Sequence, residues 1–447
     1  MNPYALHAPE TAYESGTIPI ACSAWPAPTG NPPWPALEAD MEADVAVIGA
    51  GLVGASLALH LAERGVRVAL IEAQQPAVGA SGRNAGQVQP YLGKFEEMQA
   101  WPDGGRRFID YYLQHRNIIF DLCERHGIDG DAARCGLVAA AYREYASMVQ
   151  NAAHWRGLGY EVETAGAKRL HELLGTQRYA FGVHWQDGGR VNPHQFTQGK
   201  VVVAARLGAQ VFGDSQVHAC EPVGRRWQVR SARGSVTAQT VVVCTNGHFG
   251  NAFFSELAHT SYPLLACGVA TQPLPQTLLD VINPARVAMS QYPMGLYPLV
   301  LDGRNRLVTA TIPGVGQASD GAQYFSYLLR HLHRTWPVTR DVPIHMEAYW
   351  TGMTANSAPA YQAGGPKLYR VADGVLGLMN FGAGGNVVGP MLGMNLAHAL
   401  AEERPQDMVL PLETPVALQS PGRFEFKIRR VMIPLARCLD RFESIRL

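Results

Sequence analysis

The sequence predicts an α/β fold in which a parallel-sheet domain is interleaved with an α+β domain built on an antiparallel sheet. An apolar run of strand length ends in the glycine turn 49–54, and a helix-like run and a second strand closing on Glu72 follow. Elements of the same type return near 185–250 and 370–403, and alternating strand patterns fill the intervals. Strand–turn–helix units interrupted by such strands indicate two domains threaded through each other.

The composition is that of a large globular protein. With 447 residues the chain is long enough for two or three domains. Lys and Arg total 37, as do Asp and Glu, so no global field favours nucleic acid or an anionic membrane. The seven cysteines show no metal-binding spacing, which favours buried thiols in a reducing compartment and no metal site. We find neither a signal-peptide pattern nor an apolar run of roughly 18 to 20 residues, so a cytoplasmic location is expected.

Each glycine of the turn 49–54 can be explained by a steric requirement of dinucleotide binding. Gly49 permits the tight turn, Gly51 lets a pyrophosphate approach the backbone, and Gly54 lets the helix pack closely on the sheet. The helix N-terminus offers N–H groups to the phosphates, and Glu72 is placed to accept ribose hydroxyls. The alternative is a βαβ turn without a ligand. The predicted contacts are Gly49, Ala50, Gly51, Leu52, Val53, Gly54, Glu72 and Ala73.

Two further glycine-rich segments, 79–88 and 382–389, indicate which dinucleotide binds. A flavin extends beyond the first turn, and its ring lies against backbone. The second segment precedes a helix, whose N-terminus would stabilise the negative charge that builds up on a reduced flavin. No second Gly-x-Gly-x-x-Gly motif is present, so no separate NAD(P)H site is predicted. FAD is therefore the predicted cofactor, with a nicotinamide dehydrogenase as an alternative.

These motifs resemble the FAD-dependent D-amino-acid oxidase/glycine oxidase superfamily. The run Asp44–Gly51, the acid Glu72 and the segment 79–88 carry the resemblance, which is closest to the γ-glutamylputrescine oxidase branch. The following segments also match: Asn192-Pro193, Val242 to Asn246, Trp350-x-Gly352 with Asn356 and Pro359, and the glycine turn 382–385.

The resemblance implies a fold and a set of cofactor contacts. The fold is a glutathione-reductase-like FAD-binding Rossmann domain (41–130, 185–255 and 365–410) interleaved with an α+β substrate domain on an antiparallel sheet (131–184 and 256–364). An extended N-terminal arm (1–40) is expected to cross the surface, and a C-terminal amphipathic helical tail (411–447) follows. The implied contacts are Ser81, Gly82, Arg83, Asn84, Ala85, Gly86 and Gln87 at the ribityl chain and ring, Val217 at the adenine, Thr245 and Asn246 along the same arm, and Gly384, Gly385, Asn386 and Val387 at the pyrimidine edge. No cysteine lies between Trp350 and Pro359, so non-covalent FAD is expected.

The sequence departs from the family at the substrate side. Relatives often carry an arginine where this chain has Leu299, and Ala383 stands where the branch usually has histidine. Tyr292, Tyr297 and Trp350 are the candidate pocket residues, with sheet packing as the alternative for each. On a predicted turn, Arg304 and Arg306 could clamp a carboxylate, but solvated surface charge is the favoured interpretation.

The predicted activity is oxidation of a C–N bond in an amine or amino acid by hydride transfer to the flavin. The resulting imine hydrolyses, and O2 is the expected acceptor, giving hydrogen peroxide. The alternative is a quinone-linked dehydrogenase, for example of pipecolate or proline type, docked at the membrane surface. The cofactor does the difficult chemistry while the protein orients the amine, so no catalytic side chain is assigned. The neutral charge and the lack of a basic stripe disfavour a role on tRNA or another nucleic acid.

The tail carries one further hypothesis. Between 421 and 447, apolar side chains keep helical spacing while the cations lie largely on the other side. A basic amphipathic helix of this kind could make peripheral contact with the inner membrane. Docking against the enzyme's own body is the alternative.

Overall fold

Two large β-sheets and the helices around them form the molecule. The computed structural model describes residues 20–26, 33–92, 98, 100–247, 253–293, 295–357, 364–382, 384–418 and 421–443. The strands are β1 Met41–Ile48, β2 Val68–Ile71, β3 Gln87–Val88, β4 Leu137–Ala141, β5 Val162–Gly166, β6 Phe181–Trp185, β7 Gly189–Arg190, β8 Gln210–Phe212, β9 Ala219–Val223, β10 Arg226–Arg230, β11 Ser235–Val243, β12 Tyr262–Thr271, β13 Ala288–Gln291, β14 Leu299–Leu301, β15 Leu307–Thr311, β16 Met346–Asn356, β17 Lys367–Ala372, β18 Val375–Met379 and β19 Leu412–Glu413. The helices are α1 Leu52–Ala62, α2 Arg106–His115, α3 Ile118–His126, α4 Ala146–Gly157, α5 Ala167–Leu174, α6 Pro193–Arg206, α7 Ser255–Ala258, α8 Gln276–Leu279, α9 Gly321–Thr335, α10 Gly385–Ala401, α11 Pro421–Lys427 and α12 Ile433–Glu443.

The first sheet has nine strands around a parallel centre. Its order is β19-β17-β18-β11-β1-β2-β8, and β9 and β10 extend from β11. The strand β1 pairs in parallel with both β2 and β11. Every residue of α1 is buried, because α6 and α10 pack against it. A helix enclosed on this side of a parallel sheet explains why its sequence is apolar all round.

One strand of this sheet is longer than the sequence pattern indicated. The sequence predicts a meander strand at 235–238 and a separate buried strand at 241–243. In the structure both belong to β11, which pairs antiparallel with β10 and parallel with β1. The polar pair Gln239-Thr240 does not end the strand, because alternate residues of a strand reach solvent when one face is open.

The second sheet has eight strands in the order β16-β12-β15-β14-β13-β4-β6-β5. Its strands come from 137–185 and 262–356, on both sides of the segment that supplies α6 and β8 to β11. All neighbours are antiparallel except β13 and β4, which pair in parallel. The helix α9 buries the apolar side chains of Tyr324, Phe325, Leu328 and Leu332. The chain therefore crosses between two sheets several times.

Two other expectations need correction. The apolar spacing from Arg106 to Gly127 predicts one long helix that ends at the glycine. In the structure this segment is divided into α2 and α3, because Asn117 leaves the helical region between them. The N-terminal arm does not simply cross the surface, since Trp25 is buried and its Nε1 donates to the Asn84 carbonyl over 2.9 Å. Residues 1–19 and 27–32 of the arm, like Pro359, Ala383 and the tail end 444–447, lie outside the described residues.

Candidate functional site

The glycine turn brings β1 and α1 into very close contact. Gly49 has a φ of +102°, and its N–H donates to the Ile71 carbonyl over 2.8 Å. A Cβ at Gly54 would lie 1.9 Å from the Gly49 carbonyl oxygen. A Cβ at Gly51 would lie 2.7 Å from Ser81 Oγ, which occupies the mouth of the turn. Side chains are thus excluded where the turn faces the segment 79–88.

The first turn of α1 presents backbone donors in this turn. The N–H of Leu52, the first residue of α1, donates to Ser81 Oγ over 2.9 Å. The first N–H groups of a helix, here those of Leu52, Val53 and Gly54, have no partner within the helix. Together with the helix dipole they form a site suited to phosphate oxygens.

The carboxylate of Glu72 lies at the end of β2, beside the same turn. Its Oε2 accepts the Ala50 N–H over 2.8 Å, and its Oε1 accepts the Gln74 N–H over 3.2 Å. Burial raises the pKa of Glu72, and the N–H groups of Ala50, Gln74 and Ala73 oppose that rise. A carboxylate has about four lone-pair positions, so acceptors remain for ribose hydroxyls. The neighbouring Ala73 is exposed.

The segment 79–88 is held in place by Arg83. Its guanidinium donates to the carbonyl oxygens of Val78 over 2.5 Å and of Thr351 over 3.1 Å. Burial lowers the pKa of Arg83 to about 10. A Cβ at Gly352 would lie 3.2 Å from the Arg83 side chain. Arg83 therefore fastens this segment to β16, which explains why a glycine follows Thr351.

The two later glycine segments meet at Asn386. Its Nδ2 donates to Asn84 Oδ1 over 2.9 Å and to the Gln87 carbonyl over 2.8 Å. The side chain of Gln87 in turn donates to the Met289 carbonyl of β13 over 2.6 Å. These bonds join the N-terminus of α10, the segment 79–88 and the second sheet at one place.

The backbone at the start of α10 is open. Among the described atoms, none lies within 4 Å of a Cβ placed on Gly384, and only Phe381 Cβ lies that close for Gly385. Val387, one turn into the helix, is buried. Of the remaining members of segment 79–88, Gly82 and Gly86 are buried, whereas Ala85 is partly exposed. A helix N-terminus facing open space beside a buried loop can receive a planar ring edge.

Of Val217, Thr245 and Asn246, Thr245 lies directly beside the glycine turn. Val217 is buried in one cluster with Ile48 and Ile71 of the central strands. A Cβ on Gly49 would lie 3.2 Å from the Thr245 backbone nitrogen. Thr245 Oγ1 is buried and has no hydrogen-bond partner among the described atoms. Asn246 Oδ1 accepts the Asn380 N–H over 2.8 Å. The orphaned hydroxyl of Thr245 is the kind of group that a bound ligand satisfies.

The three aromatic pocket candidates have separate surroundings. Trp350 is buried, and its Nε1 donates to the Arg83 carbonyl over 2.8 Å. Tyr297 stacks on His331 with ring centroids 3.5 Å apart. Tyr292 is partly exposed, and its hydroxyl lies 2.8 Å from the Ser147 hydroxyl. Only Trp350 contacts the segment 79–88 through these bonds. The contacts of Tyr297 are those of core packing.

Arg306 corrects one sequence-based interpretation. The sequence favours solvated surface charge for Arg304 and Arg306, and Arg304 is exposed. Arg306 is 2% exposed, pairs with Asp302 over 2.8 Å and with Glu347 over 2.7 Å, and donates to the Ala24 carbonyl. The β14–β15 turn packs against the N-terminal arm, so this cation is part of a buried ion-pair network and not a carboxylate clamp.

Sequence reasoning missed two polar groups of α6 that lie beside the glycine segments. Lys200 is fully buried, and its Nζ donates to the Leu52 carbonyl over 2.7 Å. His194 Nδ1 is buried without a partner among the described atoms, and burial lowers the His194 pKa to about 4. A Cβ on Gly82 would lie 3.1 Å from the His194 ring. The sequence did contain a signal for their location. Asn192-Pro193 begins the helix, and on this helix His194 and Lys200 share one face with Thr197 and Val201, which are buried.

Two other kinds of site are absent from the described residues. Within the described part of the chain, no helix combines the length and hydropathy needed to cross a membrane. In the same residues, no three His, Cys, Asp or Glu side chains are grouped to hold a metal ion.

Comparisons with known proteins agree with this geometry. Residues 44–399 match the family described as DAO, FAD dependent oxidoreductase. The chain is 28% identical over 331 residues to the γ-glutamylputrescine oxidoreductase of Escherichia coli, which covers 72% of this chain and 75% of that protein. This confirms the resemblance on which the sequence analysis relied.

Solved structures show the same fold. The glycine oxidase of Bacillus cereus superposes with a TM-score of 0.64 at 20% identity, over 82% of this chain and 97% of that one. The L-proline dehydrogenase of P. horikoshii gives a TM-score of 0.66 at 16% identity, over 83% of this chain and 96% of that one. The predicted fold class is thereby confirmed. The chain belongs to the DAO family of FAD-dependent oxidoreductases.

Proposed function

We propose that the chain oxidises a C–N bond in a small amine or amino acid and passes the electrons to O2, forming hydrogen peroxide. The observation that carries this proposal is the junction at Asn386, which brings the N-terminus of α10 and the segment 79–88 to the edge of the second sheet. A cofactor ring at this junction would have the dinucleotide turn on one side and the second sheet on the other. The substrate domain in this proposal is formed by 131–184 and 256–364, and the FAD domain by 41–130, 185–255 and 365–410.

The residues fit a non-covalently bound FAD. The turn 49–54 and the N-terminus of α1 would hold the pyrophosphate, and Glu72 the adenosine ribose. The hydroxyl of Thr245 gives a buried, unsatisfied group on the same arm, and the open backbone at Gly384 and Gly385 would meet the pyrimidine edge. When bound, FAD supplies the acceptor for a hydride from the carbon next to nitrogen.

The protein's own contribution is binding, orientation and exclusion of water. The N-terminus of α10 would stabilise negative charge beside it. Trp350 of β16, whose Nε1 donates to the Arg83 carbonyl, would form one side of the site and keep water out there. An amine must be unprotonated to release hydride, so a site surrounded by apolar strands favours the neutral form. The released imine then hydrolyses in water.

The substrate is proposed to be an amine that needs no clamp on an α-carboxylate. Leu299, which stands where many relatives carry arginine, is buried in β14. The relative from Escherichia coli named above is a γ-glutamylputrescine oxidoreductase, which supports an amine of that class ahead of a simple amino acid. Small secondary amino acids such as pipecolate remain the competing class.

Anaerobic bleaching of the bound flavin tests this function. Purified holoenzyme is mixed with a panel of polyamine derivatives, primary amines and amino acids, and loss of flavin absorbance is followed. The proposal expects rapid bleaching by at least one amine and stoichiometric peroxide on readmission of oxygen. A colourless protein that takes up no FAD would contradict it, as would bleaching only by NADH or NADPH. Acid precipitation should release the flavin into the supernatant if the link is non-covalent.

A quinone-linked dehydrogenase is the second candidate, and one observation favours it. The C-terminal tail exposes a row of apolar side chains, as described below, which a peripheral membrane enzyme would use. The two candidates differ in the reoxidation step. Rapid reoxidation by a soluble quinone analogue, together with slow peroxide formation in air, would favour the dehydrogenase. Such an enzyme would be cytoplasmic and peripheral at the inner membrane.

A further inference from the structure

The tail helix, residues 421–443, is bound to the rest of the chain along one side. It consists of α11, a π-helical turn Ile428–Met432, and α12. Phe424, Ile428 and Ile433 are buried against the body. This docking against the enzyme's own body is the alternative that the sequence analysis left open, and it accounts for only part of the helix surface.

Of the three acidic residues between 421 and 443, two contact the body and the third pairs with an arginine of the same helix. Asp440 is buried, and its Oδ1 accepts the Tyr142 hydroxyl over 2.9 Å and also the Gln291 amide. Glu443 accepts the Tyr145 hydroxyl over 2.6 Å. Glu425 pairs with Arg429 over 3.1 Å. The carboxylates of the tail helix are therefore engaged by these partners and do not lie on the opposite side of the helix.

The opposite side, which we call the outer face, combines apolar and cationic side chains. Among the described residues, the chain has eleven exposed large hydrophobic side chains, and six of them lie on the tail helix. The outer face consists of Phe426 (58% exposed), Lys427, Arg430, Val431, Met432, Leu435 (56%), Leu439 and Phe442 (62%). The expected separation of apolar and basic sides is wrong in one respect, because Arg429 and Arg437 turn toward the body while Lys427 and Arg430 share the apolar side.

The spacing places these side chains in one row. Val431, Leu435, Leu439 and Phe442 follow at intervals of four, four and three residues, which keeps them on one helix face. The Arg430 guanidinium lies 5.2 Å from the Phe426 ring centroid, so a cation and an aromatic ring form one end of the row. A soluble protein rarely leaves a continuous apolar row of this kind open to water.

We propose that the outer face of the tail helix binds the surface of an anionic lipid bilayer. An amphipathic helix with apolar and cationic side chains lies in the interface and enters it by about 5–10 Å. The chain as a whole is neutral, with 37 cationic and 37 acidic side chains, so the positive outer face is a local feature. The outer face as defined carries two cations and no carboxylate, so its charge is complementary to that of an anionic lipid surface. This inference goes beyond the proposed activity and holds for either electron acceptor.

Vesicle flotation of the full holoenzyme tests the proposal. The expected result is binding to phosphatidylglycerol/phosphatidylethanolamine vesicles, weak binding to pure phosphatidylcholine vesicles, and release from the anionic vesicles at high salt. The double variant Lys427→Glu, Arg430→Glu should weaken binding more than about tenfold, since each cation near an anionic surface contributes about fivefold. The double variant Leu435→Ser, Phe442→Ser should weaken binding to a similar extent.

A matched control lies on the hairpin between β9 and β10. Val223 is 51% exposed and Arg225 is exposed, so Val223→Ser, Arg225→Glu makes comparable changes outside the tail. This control should bind vesicles as the wild type does. All variants should retain flavin bleaching in solution, which separates this proposal from the proposed function. Circular dichroism verifies that each variant is folded.

Three results would overturn the proposal. The first is wild-type binding to anionic vesicles no stronger than to phosphatidylcholine. The second is equal loss of binding in the hairpin control. The third is lipid-free self-association, measured by sedimentation velocity, that Leu435→Ser, Phe442→Ser abolishes. The last outcome would assign the outer face to a second copy of the chain.

Discussion

Replacement of Lys200 by methionine should stabilise the protein at neutral and acidic pH. Lys200 is fully buried in α6, under the first turn of α1. Its Nζ donates to the Leu52 carbonyl over 2.7 Å and lies 4.6 Å from the Phe196 ring centroid. Burial lowers the pKa of Lys200 to about 7. An ordinary lysine has a pKa near 10.4, so the folded state strongly disfavours the charge.

The magnitude follows from the difference between these two pKa values. Below pH 7 both the folded and the unfolded chain carry the proton, and the buried charge of Lys200 destabilises the fold by about 4–5 kcal/mol, at about 1.4 kcal/mol per pKa unit. Between pH 7 and about pH 10.4 only the unfolded chain binds that proton, so stability rises with pH in this window. Methionine removes the charge and loses one hydrogen bond from a charged donor, which is worth about 2 kcal/mol. We therefore expect a net gain of about 2–3 kcal/mol at pH 6 for Lys200→Met, as the difference of these values.

Guanidinium unfolding of the wild type and of Lys200→Met, each saturated with FAD, measures this effect at pH 6 and pH 9. The stability difference should be large at pH 6 and smaller at pH 9. The matched control is Lys168→Met, because Lys168 is exposed on α5 and should show no such pH-dependent difference. The reasoning is refuted if Lys200→Met is less stable than the wild type at pH 6. A difference that stays the same at both pH values would also refute it.

Three other substitutions test the site and the tail. Gly54→Ala should lower FAD affinity at least about 100-fold in equilibrium titration, because the new Cβ would lie 1.9 Å from a carbonyl oxygen and must displace the glycine turn. The control Gly157→Ala should leave FAD affinity unchanged, because its Cβ would have no described atom outside its own helix within 4 Å. Asn386→Ala removes both bonds to the segment 79–88 and should accelerate FAD release in stopped-flow measurements by about tenfold, as loss of about 1–2 kcal/mol implies; an unchanged rate would show that these bonds do not shape the site. Asp440→Ala removes the buried acceptor of the hydrogen bonds from Tyr142 and Gln291 and should expose the tail helix to limited proteolysis at lower protease concentration than in the wild type. Equal resistance would show that Asp440 does not anchor the tail.

The parts of the fold that sequence reasoning predicted are those with local causes. Gly54 is required because of an oxygen five residues earlier, so the pattern can be recognised within one short window. Asn192 is likewise a local signal, since its side chain accepts the Gln195 N–H and begins α6. The interleaving was indicated by strand–turn–helix elements that return near 185–250 and 370–403, and the family resemblance implied the same arrangement.

The parts that sequence reasoning missed depend on distant partners. Arg306 and Ala24 are 282 residues apart, and their contact makes the arginine part of the core. Lys200 and Leu52 are separated by 148 residues, so nothing near Lys200 indicates that its ammonium group is buried. The length of β11 was misjudged for a related reason. The strand is continuous because β1 and β10 pair with it, and neither partner can be identified from residues 235–243 alone.

The bonds that assemble the proposed flavin site connect segments that are remote in sequence. Asn386 and Gln87 are 299 residues apart, Gln87 and Met289 are 202 apart, and Arg83 and Thr351 are 268 apart. In each bond a polar side chain binds a backbone carbonyl. The carbonyls of Met289 and Thr351 belong to the second sheet, whereas that of Gln87 belongs to β3, which pairs with β7 in a two-stranded sheet. The glycine turn 49–54 follows β1 of the first sheet. The complete site therefore exists only when both sheets are folded and in contact. A ligand that binds only this assembled state stabilises both sheets together, which implies that FAD should raise the midpoint of unfolding for probes in either sheet by the same amount.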